Sequence, residues 1–427
     1  MGATANTALA WIAGFFFAFR LFITLILVWT FGADPQTGVV VTILLNLALW
    51  SVIAFSCHGG RTRREDGLMK NPASRWVLFF LGFTCVSLIW SSAVSLPAAG
   101  AFWCAMAADS SIILLILRNE SAQVVAPALM KGYVIGASLV AVTAWLLPEQ
   151  PDMRLGYTDL LGPNQIGYLC GFAFFFAQYL VLNKERKWKL AMVLLGVTLL
   201  RSLSKTTIIA LLVSQTVLLL TDQSIRRRTK FWTVMFALLI VLPFWNLIFS
   251  YYDMYTNTGS QSENLTGRVG LWAIFLLESV QHPWIGHGFH SVWKVIPPYG
   301  PDQFEARHAH NELFQQFYAY GIVGVTMFMG IYGSFLRQVH KMARGPMKTF
   351  FFSLMLFILI RGVADTEPFD LSLPVWAILL LTALLIGMPT SPQDGVRSQK
   401  SRMPNCDEFR NNSESLKQQG RRISQST

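Results

Sequence analysis

Charged residues are scarce in this chain. They make up 13% of its 427 residues, whereas soluble domains carry about 25%. Hydrophobic residues account for 53%, and the charges are confined to short clusters between long apolar runs. This distribution excludes a large soluble core and indicates an integral membrane protein.

Cysteine is also rare, and no nucleic-acid-binding motif is recognisable. The five cysteines lack metal-ligand spacing and their number is odd, so we expect neither a disulfide framework nor a zinc site. The net charge of +11 comes mostly from short loops beside apolar segments, where basic residues set membrane topology. No carboxylate-rich metal motif is present, and we expect no cofactor.

Long apolar segments predict about twelve transmembrane helices, because a helix needs about 20 apolar residues to cross the hydrocarbon layer. The predicted fold is therefore an all-α polytopic membrane domain over residues 1–389. Its first segment has no clear cleavage site, so we expect a retained span rather than a removed signal peptide. The predicted spans are 9–31, 39–57, 76–96, 99–117, 126–147, 166–183, 188–203, 206–221, 231–250, 312–336, 349–363 and 373–389.

Basic clusters orient these spans. With twelve spans, the clusters at 61–75, 184–189, 226–230 and 337–348 all fall on one side of the membrane, together with the basic tail. The positive-inside rule places that side, and both termini, in the cytoplasm. Residues 390–427 are polar without apolar periodicity, which predicts a disordered cytoplasmic tail.

One long loop is predicted on the opposite, non-cytoplasmic side. Residues 251–311 hold five of the seven histidines, and a loop of this length in a compact protein is usually functional. Within it, RVGLWAIFLLESVQH predicts an amphipathic helix at the membrane surface. The five histidines are His282, His287, His290, His308 and His310.

Other ionisable or polar groups are predicted on the same face, where they mark candidate sites because such groups beside spans are costly. Arg20 and Asp109 instead fall inside spans one and four, and the sequence leaves open whether they pair or line a cavity. The outer groups are Arg201 and Lys205 in the turn RSLSKT, Asp152, Arg154, Asp159 and Asn164 before span six, and Arg361, Asp365, Glu367 and Asp370 after span eleven.

Three segments, in order, resemble the bacterial O-antigen ligase and polysaccharide polymerase superfamily. HNELFQQFYAYGIVGV (310–325) contains His-Asn, nine residues and Gly-x-x-Gly-Val. TGRVGLWAIFLLESVQHPWIGHGF (266–289) is similar to the Gly-Arg helix and His-Pro-x-x-Gly-x-Gly run of that superfamily. LSKTTIIALL (203–212) resembles its basic, Thr-containing start of a span, although Lys205 stands where many members have Arg.

The resemblance implies a GT-C-like membrane glycosyltransferase of the bacterial inner membrane. Its donor would be an undecaprenyl-diphosphate-linked glycan, and its acceptor another glycan or lipid A–core. Transfer to a sugar hydroxyl needs a base with a pKa near neutrality and cations near the leaving diphosphate. We therefore expect a metal-independent, inverting enzyme in exopolysaccharide or O-antigen synthesis, which contacts membrane lipids and binds no nucleic acid.

The motif assigns His310 as the catalytic base. Arg268, with Arg201 or Lys205, is expected to bind the diphosphate. The remaining candidates for orienting the base or contacting donor or acceptor are Arg307, His308 and Asn311.

Structural roles remain open for the same residues. The two histidines could cap span ten, Arg268 could anchor to lipid headgroups, and Arg201 and Lys205 could simply mark a helix end. Gly321 and Gly324 favour a small-residue helix-packing face.

Three functions remain open as well. Repeat-unit polymerase is slightly favoured over O-antigen ligase, because GHGFHSVW and the Ser-Lys-Thr start of span eight resemble exopolysaccharide polymerases. A transporter of lipid-linked oligosaccharide is the alternative of another class, but it should place ionisable groups near the midplane, where only Arg20 and Asp109 qualify.

Overall fold

The computed structural model describes residues 2–58, 66–148, 150, 153–157, 160–246, 249–250, 265–298, 305–365 and 373–388. No strand forms among these residues, apart from one isolated bridge between Tyr157 and Leu161. Short 3-10 turns occur at Arg186–Trp188 and Leu242–Phe244. The α-helices are α1 (Gly2–Phe31), α2 (Pro35–His58), α3 (Asp66–Lys70), α4 (Pro72–Ser87), α5 (Leu96–Asn119), α6 (Ala122–Leu146), α7 (Pro163–Leu182), α8 (Lys189–Arg201), α9 (Lys205–Thr221), α10 (Arg227–Val241), α11 (Leu265–Ser279), α12 (Glu312–Lys341), α13 (Pro346–Ala364) and α14 (Leu373–Ile386).

Each of the twelve predicted spans overlaps a helix, so the described residues fit an all-helical, polytopic membrane protein. Seven helices in the described part of the chain are long and apolar enough to cross a membrane. Two further apolar helices, α9 and α14, are shorter, and the count of twelve stays a prediction. The seven are Ala5–Phe31, Pro35–Cys57, Leu96–Asn119, Ala122–Leu146, Pro163–Leu182, Glu312–Lys341 and Pro346–Val363.

Some predicted features lie outside the described residues. They include the tail 390–427, the basic cluster at 61–64, and parts 251–264 and 299–304 of the long loop. The same holds for four of the acidic groups predicted on the outer face: Asp152, Asp159, Glu367 and Asp370.

The predicted third span is too long at its C-terminal end, because α4 stops at Ser87 rather than at 96. Beyond this point the chain turns to bind the loop between α11 and α12. Ser87 Oγ accepts a hydrogen bond from the Phe289 N–H at 3.0 Å, and Ser91 Oγ donates to the Phe289 carbonyl at 2.5 Å. These contacts bind the long loop to the end of α4.

Glycines bring α1 and α6 into close contact. A Cβ on Gly14 would collide with the backbone of Leu129, and one on Gly132 would collide with the backbone of Trp11. Without a hydrophobic driving force inside lipid, close backbone approach through small residues is a principal source of helix association.

The charges inside the spans form a pair, which settles the question left by the sequence. Arg20 Nη1 lies 2.6 Å from Asp109 Oδ2, and both side chains are buried. Asn46 donates to Asp109 Oδ1 at 2.9 Å and to the Ala105 carbonyl at 3.1 Å. The cluster joins α1, α2 and α5, and pairing lowers the cost of burying either charge.

Helix ends that the topology assigns to one side contact each other. On the predicted outer side, the Trp29 and Tyr157 rings lie 5.8 Å apart. On the predicted cytoplasmic side, Lys131 and Glu185 form an ion pair at 2.7 Å. The contacts agree with the predicted up-and-down order of the spans, while the identity of each side stays a prediction.

Candidate active site

The start of α12 brings His310 against a buried carboxylate at the end of α13. His310 Nδ1 lies 3.1 Å from Asp365 Oδ1, and Asp365 is 1% exposed. The sequence separates the two residues by 55 positions. Asn311 brings them together, because its Oδ1 caps α12 at the Leu313 and Phe314 amides while its Nδ2 donates to the Val363 carbonyl at 2.8 Å.

Asp365 is shared by three neighbours. His308 Nε2 lies 3.6 Å from the same Oδ1, and the rings of His308 and His310 are 4.1 Å apart. The second oxygen, Oδ2, accepts a hydrogen bond from Arg361 Nη2 at 3.4 Å. Arg361 is itself buried, with its guanidinium 3.7 Å above the centre of the Tyr168 ring. The carboxylate is thus surrounded by groups that favour its charged form.

These contacts favour the charged form of Asp365 and the neutral form of His310. Burial by itself raises the pKa of the Asp365 carboxyl, but the charge of Arg361 and hydrogen bonds from the two imidazoles outweigh it and hold that pKa well below its ordinary value. Burial lowers the pKa of His310 to about 4, helped by His308 and Arg268 and opposed by Asp365. At neutral pH the site therefore holds a carboxylate and a neutral imidazole.

The carboxylate also fixes the tautomer of His310. An ionised Asp365 can only accept, so Nδ1 carries the ring proton and Nε2 carries the lone pair. The backbone of His310 is left-handed, with φ of 51°. Such a conformation is strained for a residue other than glycine and is concentrated at functional sites. Given this tautomer, Nε2 is the ring nitrogen of His310 that can accept a proton.

Arg268, in the first turn of α11, belongs to this electrostatic environment, since its charge lowers the pKa of His310. The described part of the long loop is folded rather than extended. Trp272 Nε1 donates to the Ala309 carbonyl at 3.0 Å, which ties α11 to the residue before His310. Leu271 and Phe275 are buried in a small apolar core with Tyr318 of α12. The helix predicted in this loop is confirmed, while its place at the membrane surface stays a prediction.

Arg201 and Lys205 flank the turn between α8 and α9. Arg201 is buried, and its Nη1 donates to the Met153 carbonyl at 2.5 Å. A Cβ on Gly167 would contact Ser204 at 2.7 Å, so this turn packs against the start of α7. The next residue of α7, Tyr168, lies under Arg361, so the start of α7 contacts both this turn and the arginine that pairs with Asp365.

The other residues assigned to donor or acceptor contacts differ in exposure. Arg307 is exposed, whereas His308 is partly buried beside Asp365. The Asn311 amide is engaged with three backbone groups, which favours a role in positioning His310. The remaining three histidines of the loop contact other rings. His287 stacks on Tyr318 at 4.4 Å and lies 4.8 Å from the His282 ring, and His290 stacks on Phe102 at 4.7 Å.

Gly321 of the segment HNELFQQFYAYGIVGV breaks α12 instead of forming part of a helix-packing face. Gly321 has φ of 61° and ψ of −152°, so the packing interpretation is wrong for this residue. The loop between α11 and α12 hydrogen-bonds the backbone groups that the break releases, and buried amides and carbonyls need such partners. The amides of His287 and Gly288 donate to the carbonyls of Tyr318 and Ala319, and the amides of Ile322 and Val323 donate to the carbonyls of Pro283 and Trp284.

Asp365 and Arg361 are the functional candidates for which the sequence predicts no role. Both were predicted to lie on the outer face, but nothing in the sequence pairs them with His310. The available signal was their spacing of four residues at the end of an apolar helix, which places an Arg and an Asp on one helix face.

The sequence profile of the family described as O-antigen ligase matches residues 190–329, about one third of the chain. This region runs from α8 into α12 and includes all three motifs as well as Arg201, Arg268 and His310. Asp365 and Arg361 lie beyond it. No curated protein matches the chain. Residues 190–329 are thus similar to an O-antigen ligase domain, which supports the resemblance of this part of the chain to the O-antigen ligase and polysaccharide polymerase superfamily.

Proposed function

We propose that this protein is a metal-independent, inverting glycosyltransferase that acts at the periplasmic face of a bacterial inner membrane. The similarity of residues 190–329 to an O-antigen ligase domain supports an activity of the ligase or polymerase type. The observation that carries the proposal is the hydrogen bond between His310 and the buried Asp365, beside the cations Arg361 and Arg268. It provides an oriented base next to fixed positive charge.

In the proposed step, the acceptor hydroxyl oxygen attacks the anomeric carbon of the donor sugar while its proton passes to His310 Nε2. The bond from that carbon to the diphosphate oxygen breaks, and its electron pair leaves with undecaprenyl diphosphate. A single displacement of this kind inverts the anomeric configuration. Asp365 stabilises the imidazolium that forms, as a carboxylate does for a histidine base.

The leaving diphosphate gathers negative charge. Arg268, together with Arg201 or Lys205, would stabilise that charge. Arg is suited to bidentate contact with phosphate oxygens, whereas Lys205 would act as a point charge. Arg201 is already held by the Met153 carbonyl, so its guanidinium is restrained before substrate arrives. Arg307 and His308 remain the proposed contacts to donor or acceptor, with Asn311 positioning the base.

Donor binding would also activate the base. The pKa of His310 is about 4 in the free protein, in part because of the nearby Arg268 charge. A diphosphate bound at Arg268 would offset that charge and favour the imidazolium, which raises the pKa of His310 toward the range useful for catalysis. The base would therefore gain strength when the leaving group is in place.

We favour a repeat-unit polymerase of exopolysaccharide or O-antigen synthesis, on the resemblance of GHGFHSVW and of the start of α9. The second candidate is a ligase that joins the finished glycan to lipid A–core, which the description of the matched family favours. A lipid-linked oligosaccharide transporter is the alternative of another class. Arg20 and Asp109, its candidate midplane groups, are bonded to each other between helices, which favours a structural role.

The test is deletion of the gene in its own host, with complementation by the unchanged gene, by His310→Ala, or by His340→Ala as a matched control at the opposite end of α12. For a polymerase, the deletion leaves single repeat units, and His310→Ala fails to restore long chains while His340→Ala succeeds. Long chains that accumulate on the lipid carrier and vanish from lipid A–core identify a ligase. Restoration by His310→Ala would exclude the assigned base. An unchanged glycan profile, with no paralogue to cover the loss, would favour a transporter.

A further inference from the structure

Three side chains of the site present ligand atoms for a transition metal. The ligand atoms of His308, His310 and Asp365 all lie within 4.8 Å of one another. Asp365 Oδ1 is 3.1 Å from His310 Nδ1 and 3.6 Å from His308 Nε2. Two ligands bound at about 2.0–2.1 Å to a tetrahedral zinc ion are about 3.3–3.4 Å apart, so the two distances to Asp365 are already close to the required spacing.

We propose that His308, His310 and Asp365 form an inhibitory binding site for a divalent transition metal, with Zn²⁺ as the best-matched ion. Two imidazoles and one carboxylate are a ligand set that zinc uses when a fourth position stays open for water. Metal binding follows from the geometry alone, whereas its inhibitory effect rests on the proposed function of His310.

The surroundings support such a site. A metal-bound carboxylate is normally hydrogen-bonded through its other oxygen, and Asp365 Oδ2 already accepts from Arg361 at 3.4 Å. The two imidazoles lie on one side of the carboxylate, with their rings 4.1 Å apart. The charges of Arg361 and Arg268 oppose a dication, so the expected site is a reversible, regulatory one rather than a permanently filled structural centre.

Inhibition follows from the nitrogen that the metal would use. In the resting tautomer His310 Nδ1 carries the proton and Nε2 carries the lone pair that accepts the proton of the acceptor hydroxyl. A metal on Nδ1 needs the lone pair at that atom, so the ring proton moves to Nε2. His310 can then accept no proton at Nε2, and Asp365 is withdrawn from its role beside the ring. Occupancy and transfer are therefore mutually exclusive.

Binding is tested on the purified full-length protein by titration with Co²⁺, whose visible absorption reports coordination. We expect the unchanged protein to bind one ion. His308→Ala and Asp365→Asn should each lower the affinity for Co²⁺ by more than about 10- to 100-fold, because changes to groups that only hydrogen-bond a metal ligand already cause a loss of that size. His308→Cys, which restores a ligand, should regain binding and add a sulfur-to-cobalt charge-transfer band. His282→Ala and His340→Ala should bind as the unchanged protein does.

Inhibition is tested by adding Zn²⁺ to the transfer assay. The expected result is loss of transfer that a chelator reverses, at Zn²⁺ concentrations that shift with the binding constants of the variants. Absence of Co²⁺ binding, or binding unchanged in His308→Ala, would overturn the site. Stimulation by Zn²⁺ would overturn the inhibitory role. Because Co²⁺ binding is measured without substrate, a failure of the proposed function leaves the metal site separately tested.

Discussion

Replacement of Asp365 by Asn tests whether the carboxylate orients and supports the base. The change is nearly isosteric, which suits a side chain that is 1% exposed. An amide nitrogen can donate to His310 Nδ1, and that contact would place the ring proton on Nε2, the wrong tautomer for a base. Such an exchange costs a histidine base in a Ser-His-Asp triad about 10⁴-fold in rate.

The distance between His310 and Asp365 gives an independent estimate of the expected rate loss. At 3.1 Å and an effective dielectric constant of about 20, a full charge on the imidazolium would interact with Asp365 by about 5 kcal/mol. The charge of Arg361 is present in both proteins and offsets none of this loss, whereas a hydrogen bond from the imidazolium to the new amide oxygen would offset part of it. A net loss of about 3–5 kcal/mol in the transition state corresponds to about a 10²- to 10⁴-fold decrease in kcat/KM.

The assay is transfer by purified protein from a lipid-linked donor, normalised to folded protein. Asp109→Asn is the matched control, because Asp109 is also a buried aspartate paired with an arginine, between α1 and α5. We expect the control to lower thermal stability and to keep its transfer rate per folded molecule. A folded Asp365→Asn protein that transfers within about tenfold of the unchanged protein, a loss below about 1.4 kcal/mol, would refute the assigned role of Asp365.

Three further predictions concern the backbone, the cap and the base. Gly321→Ala puts a Cβ against the Trp284 backbone at a positive φ and should lower the free energy of unfolding by at least about 1–2 kcal/mol. The control Gly333→Ala has open space around it and should leave stability unchanged or raise it by up to about 1 kcal/mol. Equal thermal midpoints for the two variants would contradict the break in α12. Asn311→Ala should lower stability by about 1 kcal/mol because the helix cap is lost. It should also lower the transfer rate, because the hydrogen bond from Asn311 to the Val363 carbonyl no longer joins α12 to α13. Full transfer at reduced stability would show that Asn311 acts only as a helix cap. The base is active when neutral, so kcat/KM should fall as the pH drops through the His310 pKa of about 4. Arg268→Gln removes a charge that lowers this pKa and should therefore move the acid side of the pH profile to higher pH. A fall in kcat/KM of the unchanged protein centred at about pH 6.5, the ordinary histidine pKa, would contradict the buried environment of the base.

The His310 environment also has a consequence for stability. The pKa of this histidine is lowered from 6.5 to about 4 on folding, so the unfolded chain binds more protons between these values. Stability should therefore fall as the pH is lowered from about 6.5 to about 4, by roughly 3 kcal/mol for a shift of this size. His310→Gln should remove this part of the acid sensitivity, which thermal denaturation in detergent at several pH values would measure.

The helices could be predicted from the sequence because their signal is local. An apolar run bounded by basic clusters specifies a helix wherever lipid is the solvent, since backbone groups must bond within the segment. The end of α4 could not be predicted in this way. Residues after Ser87 remain apolar enough to read as a span, but Ser91 and Ser92 bind the distant loop at 287–289 instead.

The candidate site could be predicted only in part, for a related reason. The motif located His310, and chemistry suggested Arg268 as its neighbour. The partner of the base is 55 residues away, and Arg20 is 89 residues from Asp109. Such pairings depend on which helices are neighbours, and one sequence carries no direct record of that adjacency. Both pairs consist of ionisable or polar residues within or beside predicted spans, where burial is costly. This cost identified the residues as candidates but did not show which residue pairs with which.

The Gly-x-x-Gly part of the motif has a separate role from its His-Asn part. A continuous α12 would satisfy its own amides and leave the loop at 283–288 without these partners. The break at Gly321 instead exchanges backbone hydrogen bonds with that loop on both sides of the kink. The first nine residues of α12 are thereby fixed at their C-terminal end by the loop and at their N-terminal end by Asn311. His310 is held against Asp365 because the segment that follows it is anchored at both ends.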